Sequence, residues 1–71
     1  MPNPFQQELK QFFLLFGAEH SLAETEVEKL ERVLHELQPG DLEQVKKLSL
    51  KVVELGIEKP EDELVDLLKA I

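Results

Sequence analysis

Apolar side chains recur every three or four residues along most of this sequence, a spacing that places them on one side of an α-helix. Nothing alternates at every second residue for long enough to indicate a strand. Gly17, the pair Pro39-Gly40 and Gly56 separate the periodic stretches, and such residues commonly end helices. The pattern predicts an all-α fold, a small four-helix bundle. The predicted helices cover about residues 4–16, 22–38, 41–55 and 61–70.

The clearest helix of the pattern is the second. Ser21 and Glu24 have the spacing of a capping box, which would start the helix at Ser21. The apolar stripe that follows has gaps of four and three. Its members are Ala23, Val27, Leu30, Leu34 and Leu37, with Leu22 and Val33 beside them. Because the stripe spans only about two heptads, it favours one wall of a bundle, and a dimeric coiled-coil seam stays open as the alternative.

The first helix carries every aromatic residue of the protein. Asn3 is its predicted N-cap, and Gly17 is its predicted end. The aromatic residues are Phe5, Phe12, Phe13 and Phe16. Phenylalanine rings supply large buried area, so the four rings are expected at the centre of the bundle. The alternative is that they line a pocket for an apolar small ligand, or enter the groove of a partner.

The starts of the third and fourth helices are also marked by nearby residues. Asp41 is the predicted N-cap of the third helix, and Pro60 followed by three acids marks the start of the fourth. The predicted inward side chains are Val45, Leu48, Val52 and Leu55, then Leu64, Leu67, Leu68 and Ile71. The connections are short, which is compatible with an up-down or an orthogonal arrangement.

Length and composition narrow the class of protein. A chain of 71 residues is expected to be one domain, residues 1–71. The absence of cysteine excludes disulfides and thiolate metal sites. The first residues lack the basic segment of a signal peptide, and the longest apolar run, residues 12–16, is far shorter than the ~20 residues that span a bilayer. The expected location is the cytoplasm.

The net charge of −7 argues against nucleic acid and anionic membranes as partners. The second and third predicted helices have the spacing of a helix-turn-helix, which leaves a DNA binder as an unfavoured alternative. The residues that would contact the DNA bases are Lys46, Lys47 and Lys51. They include no arginine, and acids stand among them in the sequence.

Catalytic and metal-binding patterns are missing from the sequence. The glycines stand singly, so they form no phosphate-binding loop, and no Ser/His/Asp set is present. Glu31 and His35 are one helical turn apart, but two ligands on a solvated helix make a poor metal site. The acids of residues 61–63 suit a helix N-terminus. We therefore expect no enzymatic activity, no cofactor and no metal.

The positive clue is a surplus of apolar residues. Phe, Leu, Ile and Val account for 26 of the 71 residues, yet a domain of this size buries only about 60% of its unfolded surface. Leu14, Leu50 and Val53 fall off the inward stripes of their helices. These three residues are the predicted protein interface, unless neighbouring helices enclose them in the core.

The sequence thus predicts a small acidic helical module that binds another protein as a regulator, an adaptor or a small subunit. The predicted contact is an apolar patch rimmed by acids, and the partner is a basic protein or a second copy in a homodimer. A carrier of an apolar ligand, held by the four phenylalanines, is the second hypothesis.

Overall fold

The computed structural model describes residues 4–71, which form four helices and no strand. The helices are α1 (Pro4–Glu19), α2 (Glu24–Leu37), α3 (Leu42–Leu55) and α4 (Glu61–Lys69). The all-α four-helix prediction is confirmed. The predicted cap at Asn3 lies outside the described residues.

The helices pack around one core. α2 and α4 share the most extensive contact, and both α1 and α4 pack on α2 and α3, while no Cα atom in the described part of α1 lies within 8 Å of one in α4. Leu30 and Leu64, on α2 and α4, are fully enclosed. The buried apolar side chains are Phe13, Phe16, Leu30, Val33, Leu34, Val45, Val52, Ile57, Leu64, Val65 and Leu68. Burying one such side chain stabilises the fold by about 1.5–3 kcal/mol.

The end of α1 differs from the prediction. Gly17 lies inside the helix and is buried, and α1 continues to Glu19. A Cβ added to Gly17 would stand 2.7 Å from Cγ2 of Val27, too close for van der Waals contact. The glycine therefore serves the close approach between α1 and α2, and it does not end the helix.

The start of α2 also differs from the prediction, because Ser21 belongs to the end of α1. Ser21 has a left-handed backbone, with φ of 54°, and the amide of Leu22 donates to the carbonyl oxygen of Gly17 at 2.8 Å. This is the Schellman arrangement that closes a helix C-terminus. Ala23 is the N-cap of α2, and its amide donates to the Glu26 carboxylate at 2.8 Å. The predicted Ser21–Glu24 box is wrong.

The remaining helix ends agree more closely with the predicted ones. The Asp41 carboxylate accepts from the amide of Gln44 at 2.9 Å, which confirms the predicted cap of α3. Gly56 has a φ of 110° and ends α3 as predicted. α2 stops at Leu37, before the Pro39-Gly40 pair, and Gln38 adopts the left-handed conformation.

The buried side of α4 is rotated from its predicted position. Leu64, Val65 and Leu68 are buried in the core, and α4 packs on both α2 and α3. Leu67 and Ile71 are exposed, so their assignment to the inward stripe was wrong. Ile71 lies two residues after Lys69, the last helical residue, and is 72% exposed.

Candidate interaction surface

The side of α1 that points away from the bundle carries leucines instead of charges. Leu14 is 71% exposed and Leu15 is 65% exposed. Gln7, Gln11 and Ala18 lie between or beside them and are exposed as well. The charged residues of α1 are Glu8, Lys10 and Glu19, and at 100° per residue each falls outside this arc of the helix. The arc between Leu14 and Leu15 is therefore uncharged, and the exposed Glu8 lies about 20° beyond Leu15 around the helix.

The buried residues of α1 determine this orientation. Phe13, Phe16 and Gly17 are buried, and they hold one side of the helix against its neighbours. Gln7, Gln11, Leu14 and Ala18 follow one another at gaps of four, three and four, so they line up on the opposite side. The leucines point outward because the phenylalanines and the glycine occupy the inward side.

A groove between α1 and α3 extends this surface onto the neighbouring helix. It encloses about 350 Å³ and is lined by Phe12, Leu15, Phe16, Glu19, His20, Lys46 and Leu50. Leu50 is 49% exposed. The ring centroids of Phe16 and His20 are 4.1 Å apart, and Nδ1 of His20 lies 3.0 Å from the carbonyl oxygen of Phe16. The groove thus has an aromatic floor and leucines along its edges.

We call this combined surface the apolar face. It consists of Gln7, Gln11, Leu14, Leu15 and Ala18 of α1 and of Leu50 of α3. The charged residues one turn from its members are Glu8, Lys10, Glu19, Lys46, Lys47 and Glu54. Three of these are cationic and three are anionic, so the surroundings of the apolar face are close to neutral. The denser group of acids lies elsewhere.

Those acids gather on α2 and α4. Shallow grooves there are lined by Glu28, Glu31, Arg32 and Glu36 of α2 and by Glu61, Asp62 and Asp66 of α4. We call these seven residues the acidic face. Its one cation, Arg32, donates to Glu61 at 3.0 Å. A strongly acidic surface and a neutral apolar one therefore occupy different helices of the same small domain.

The structure places the three predicted interface residues differently. Leu14 and Leu50 are exposed, in the positions that the helical wheel predicted. Val53 is partly buried and packs against the core, so it does not contribute to the apolar face. Leu15 was not among the predicted interface residues, because at 100° per residue it lies only about 60° from Phe12 around the helix. The buried side is centred between Phe13 and Phe16, and this rotation turns Leu15 outward.

The four phenylalanines do not share one cavity. Phe5 and Phe13 line a cleft of about 460 Å³ between α1 and α2, whereas Phe12 and Phe16 line the α1–α3 groove. The other residues of the cleft are Gln6, Leu9, Lys10, Glu31, Leu34, His35, Gln38, Pro39 and Val45. Phe13 and Phe16 are core residues, so half of the predicted set also builds the fold.

The structure offers few residues for the hypotheses of metal binding, DNA binding and membrane insertion. Within residues 4–71, no three His, Cys, Asp or Glu side chains are grouped closely enough to hold a metal ion. Of the lysines in the helix-turn-helix hypothesis, Lys46 and Lys47 are exposed, and Lys51 pairs with Glu54 at 3.3 Å. None of the described helices combines the length and the hydrophobicity that crossing a bilayer requires.

Comparisons with protein-family models, with curated proteins and with solved structures gave no match, so the function of this chain has to be inferred from its own residues.

Proposed function

We propose that this chain is a non-catalytic protein–protein interaction module that binds its partner through the apolar face. One observation supports the proposal above others: Leu14, Leu15 and Leu50 lie on two adjacent helices and leave about half or more of each side chain exposed. Burying the exposed part of one such leucine would contribute about 1–2 kcal/mol to association. Three together supply a useful driving force before the entropic cost of binding is subtracted.

The surroundings of the leucines support the same proposal. A single exposed leucine is ordinary on a protein surface, whereas Leu15 and Leu50 line one groove and Leu14 is exposed next to Leu15 on α1. The centres of protein interfaces are depleted in charged residues, and the arc of α1 between Leu14 and Leu15 carries none. Glutamine side chains at Gln7 and Gln11 can hydrogen-bond either to water or to a partner, so the free protein can expose them at little cost.

The acidic face has a separate role in this proposal. Its acids give the chain a negative field, which keeps it soluble and attracts a partner with basic residues from a distance. This field is screened over about 8 Å at physiological ionic strength. It would guide a basic protein toward the chain, while contact and affinity come from the leucines.

A capture experiment tests the function. Tagged wild-type chain is incubated with extract of the native host, in parallel with the Leu14→Glu/Leu15→Glu/Leu50→Glu variant and the Ile71→Glu control. Ile71 is as exposed as Leu14 but lies at the end of α4, away from the apolar face. We expect a protein that is retained by the wild-type chain and the control and lost by the triple variant. Equal retention by all three chains, or by none, would contradict the proposal.

A second candidate function rests on the α1–α2 cleft. Its volume of about 460 Å³ lies in the range of small-molecule sites, and Phe5, Leu9 and Phe13 give it an apolar wall. Lys10 and His35 also line it and could hold the carboxylate of an amphiphile. Titration with dodecanoate, followed by NMR shifts of Leu9 and Leu34, tests this candidate. Saturable shifts confined to the cleft would support it, and the absence of shifts at millimolar dodecanoate would exclude this class of ligand.

A further inference from the structure

The α1–α2 cleft reaches from the surface of the bundle to its core. Phe13, Leu34 and Val45 line the cleft and are buried, whereas Phe5 and Leu9 line it and are partly exposed. Apolar anchor side chains of a partner bind most strongly in pockets of this kind, because such pockets exclude water from the contact. The cleft is therefore suited to an apolar side chain that comes from another molecule.

The α2 edge of this cleft is also an edge of the acidic face. Glu31 and His35 line both the cleft and the neighbouring groove, which Glu36 and Glu61 line as well. Glu36 and Glu61 in turn line the next groove, together with Asp66. The apolar cleft and the acidic face thus form one continuous surface, which runs from α1 across α2 to α4.

Most charges of this surface have no partner of opposite sign within the described residues. The acidic face has six acids and one cation, Arg32, which pairs with Glu61 at 3.0 Å. No lysine, arginine or histidine of residues 4–71 lies within ion-pair distance of the other five acids. On the cleft side, the only lysine or arginine that lines the described surface is Lys10. A cationic partner would therefore meet acids that the chain itself leaves unneutralised.

From this arrangement we propose that the α1–α2 cleft and the acidic face together bind a basic amphipathic segment of another protein. An apolar side chain of the segment enters the cleft, and its lysine or arginine residues lie along the acids of α2 and α4. A small amphiphile would fill the cleft alone, whereas Glu28 to Glu36 extend over about 12 Å of α2, the length of about two turns of a bound helix. The proposal goes beyond the proposed function, in which the acids act only from a distance.

An NMR titration with a cationic peptide tests the site. The probe is an amidated peptide of about 12 residues in which leucines recur every three or four positions and lysines fill the rest, used in about 0.15 M salt. We expect saturable shifts at Leu9, Leu34 and Glu36 and none at Leu14 or Leu50. Shifts centred on Leu14 and Leu50 would overturn this proposal and support binding by the apolar face. The absence of saturable shifts at about 1 mM peptide would also overturn it.

Two charge reversals separate a specific contact from general attraction. Glu31→Lys changes the sign where the cleft meets the acidic face, and Glu19→Lys makes the same change in the α1–α3 groove. Both residues are exposed, so we expect both variants to fold. Glu31→Lys should raise the dissociation constant of the peptide at least about 10-fold, and Glu19→Lys should raise it less than about 3-fold. Equal weakening by the two variants would mean that net charge alone holds the peptide and would overturn the site.

Two altered peptides test the two parts of the contact. Serine in place of each leucine removes the apolar anchor, and glutamate in place of each lysine reverses the charge. We expect each change to weaken binding at least about 10-fold. An unchanged affinity of the serine peptide would overturn the role of the cleft, and an unchanged affinity of the glutamate peptide would overturn the basic character of the partner.

This proposal and the proposed function can fail separately, because the Leu14→Glu/Leu15→Glu/Leu50→Glu variant leaves the cleft and the acidic face unchanged. We expect this variant to bind the leucine-lysine peptide at least as tightly as the wild-type chain does. A loss of about 10-fold or more would assign the peptide to the apolar face and overturn the cleft site, while the proposed function would stand.

Discussion

Leucines occur both between α2 and α4 and on the outward side of α1, but their surroundings differ. Between α2 and α4, Leu30 and Leu64 are fully enclosed, and the surface above them is acidic. On α1, Leu14 and Leu15 are mostly exposed, and the charged residues one turn from them, Lys10 and Glu19, have opposite signs. The apolar content of this small chain is thus divided between a core that stabilises the fold and a surface that is available for contact.

The largest expected difference between the two regions is in the free energy of unfolding. Leu30→Ala should lower it by about 2–5 kcal/mol, because the substitution leaves a cavity in the core. Leu14→Ala deletes the same atoms from an exposed position and should change it by less than about 0.5 kcal/mol. Urea unfolding at a concentration where the chain is monomeric measures both. Similar losses for the two variants would remove the distinction between core and surface leucines.

The helix α1 joins the rest of the bundle at the contact between Gly17 of α1 and Val27 of α2. Gly17→Ala gains about 1 kcal/mol of helix propensity but forces its new methyl against a side chain that is stiff at χ1. Overpacking costs about 1–3 kcal/mol, so we expect a net loss of about 1 kcal/mol.

In a Val27→Ala background the obstructing methyl is gone, and the same Gly17→Ala substitution should raise the stability by up to about 1 kcal/mol. A double-mutant cycle in urea measures the coupling. If Gly17→Ala were stabilising in the wild-type background, the helices would not approach as closely at this point as the structure has them.

The core itself contains one polar exception, Ser49 of α3. It is fully buried, and its hydroxyl oxygen has no hydrogen-bond partner among the described residues. A buried hydroxyl without a partner is destabilising, so Ser49→Ala should raise the free energy of unfolding by about 1 kcal/mol. Ser49→Thr keeps the hydroxyl and adds a methyl, and it should be destabilising. Thermal unfolding shows whether each substitution raises or lowers the stability. A lower stability of Ser49→Ala would indicate that the hydroxyl has a hydrogen-bond partner in solution.

The smallest expected effect concerns the acidic face. Arg32→Gln removes the ion pair with Glu61 and leaves the surrounding acids without their cation. Exposed pairs contribute about 0.2–1 kcal/mol, so the loss should stay below about 1 kcal/mol at low salt and shrink at about 0.5 M salt. Lys51→Gln removes an exposed pair on α3, outside the acidic face, and provides the control. An equal salt dependence of the two variants would mean that repulsion on the acidic face is negligible.

Local signals in the sequence were sufficient for the fold class and for several helix ends. Asp41 and Gly56 act within a few residues of their own position, and both were predicted correctly. The exposure of Leu14 and Leu50 also followed from helical periodicity, because each lies far from the apolar stripe of its helix.

The errors arose where a distant residue decides the outcome. Gly17 lies inside α1 because of its contact with Val27, and once α1 continues, Ser21 closes α1 instead of starting α2. Leu15 turns outward because Phe13 and Phe16 together centre the buried side. Periodicity alone cannot distinguish adjacent orientations of a helix that is apolar on more than one side.

The most direct test of the account is the free energy of unfolding of the Leu14→Glu/Leu15→Glu/Leu50→Glu variant, measured in urea with the chain monomeric. If these leucines belong to a contact surface and not to the core, the variant should stay folded and lie within about 1.5 kcal/mol of the wild-type chain, since single surface substitutions change stability by about 0.5 kcal/mol. An unfolded variant, or a loss as large as that of Leu30→Ala, would show that the leucines hold the fold together and would leave no apolar surface for binding.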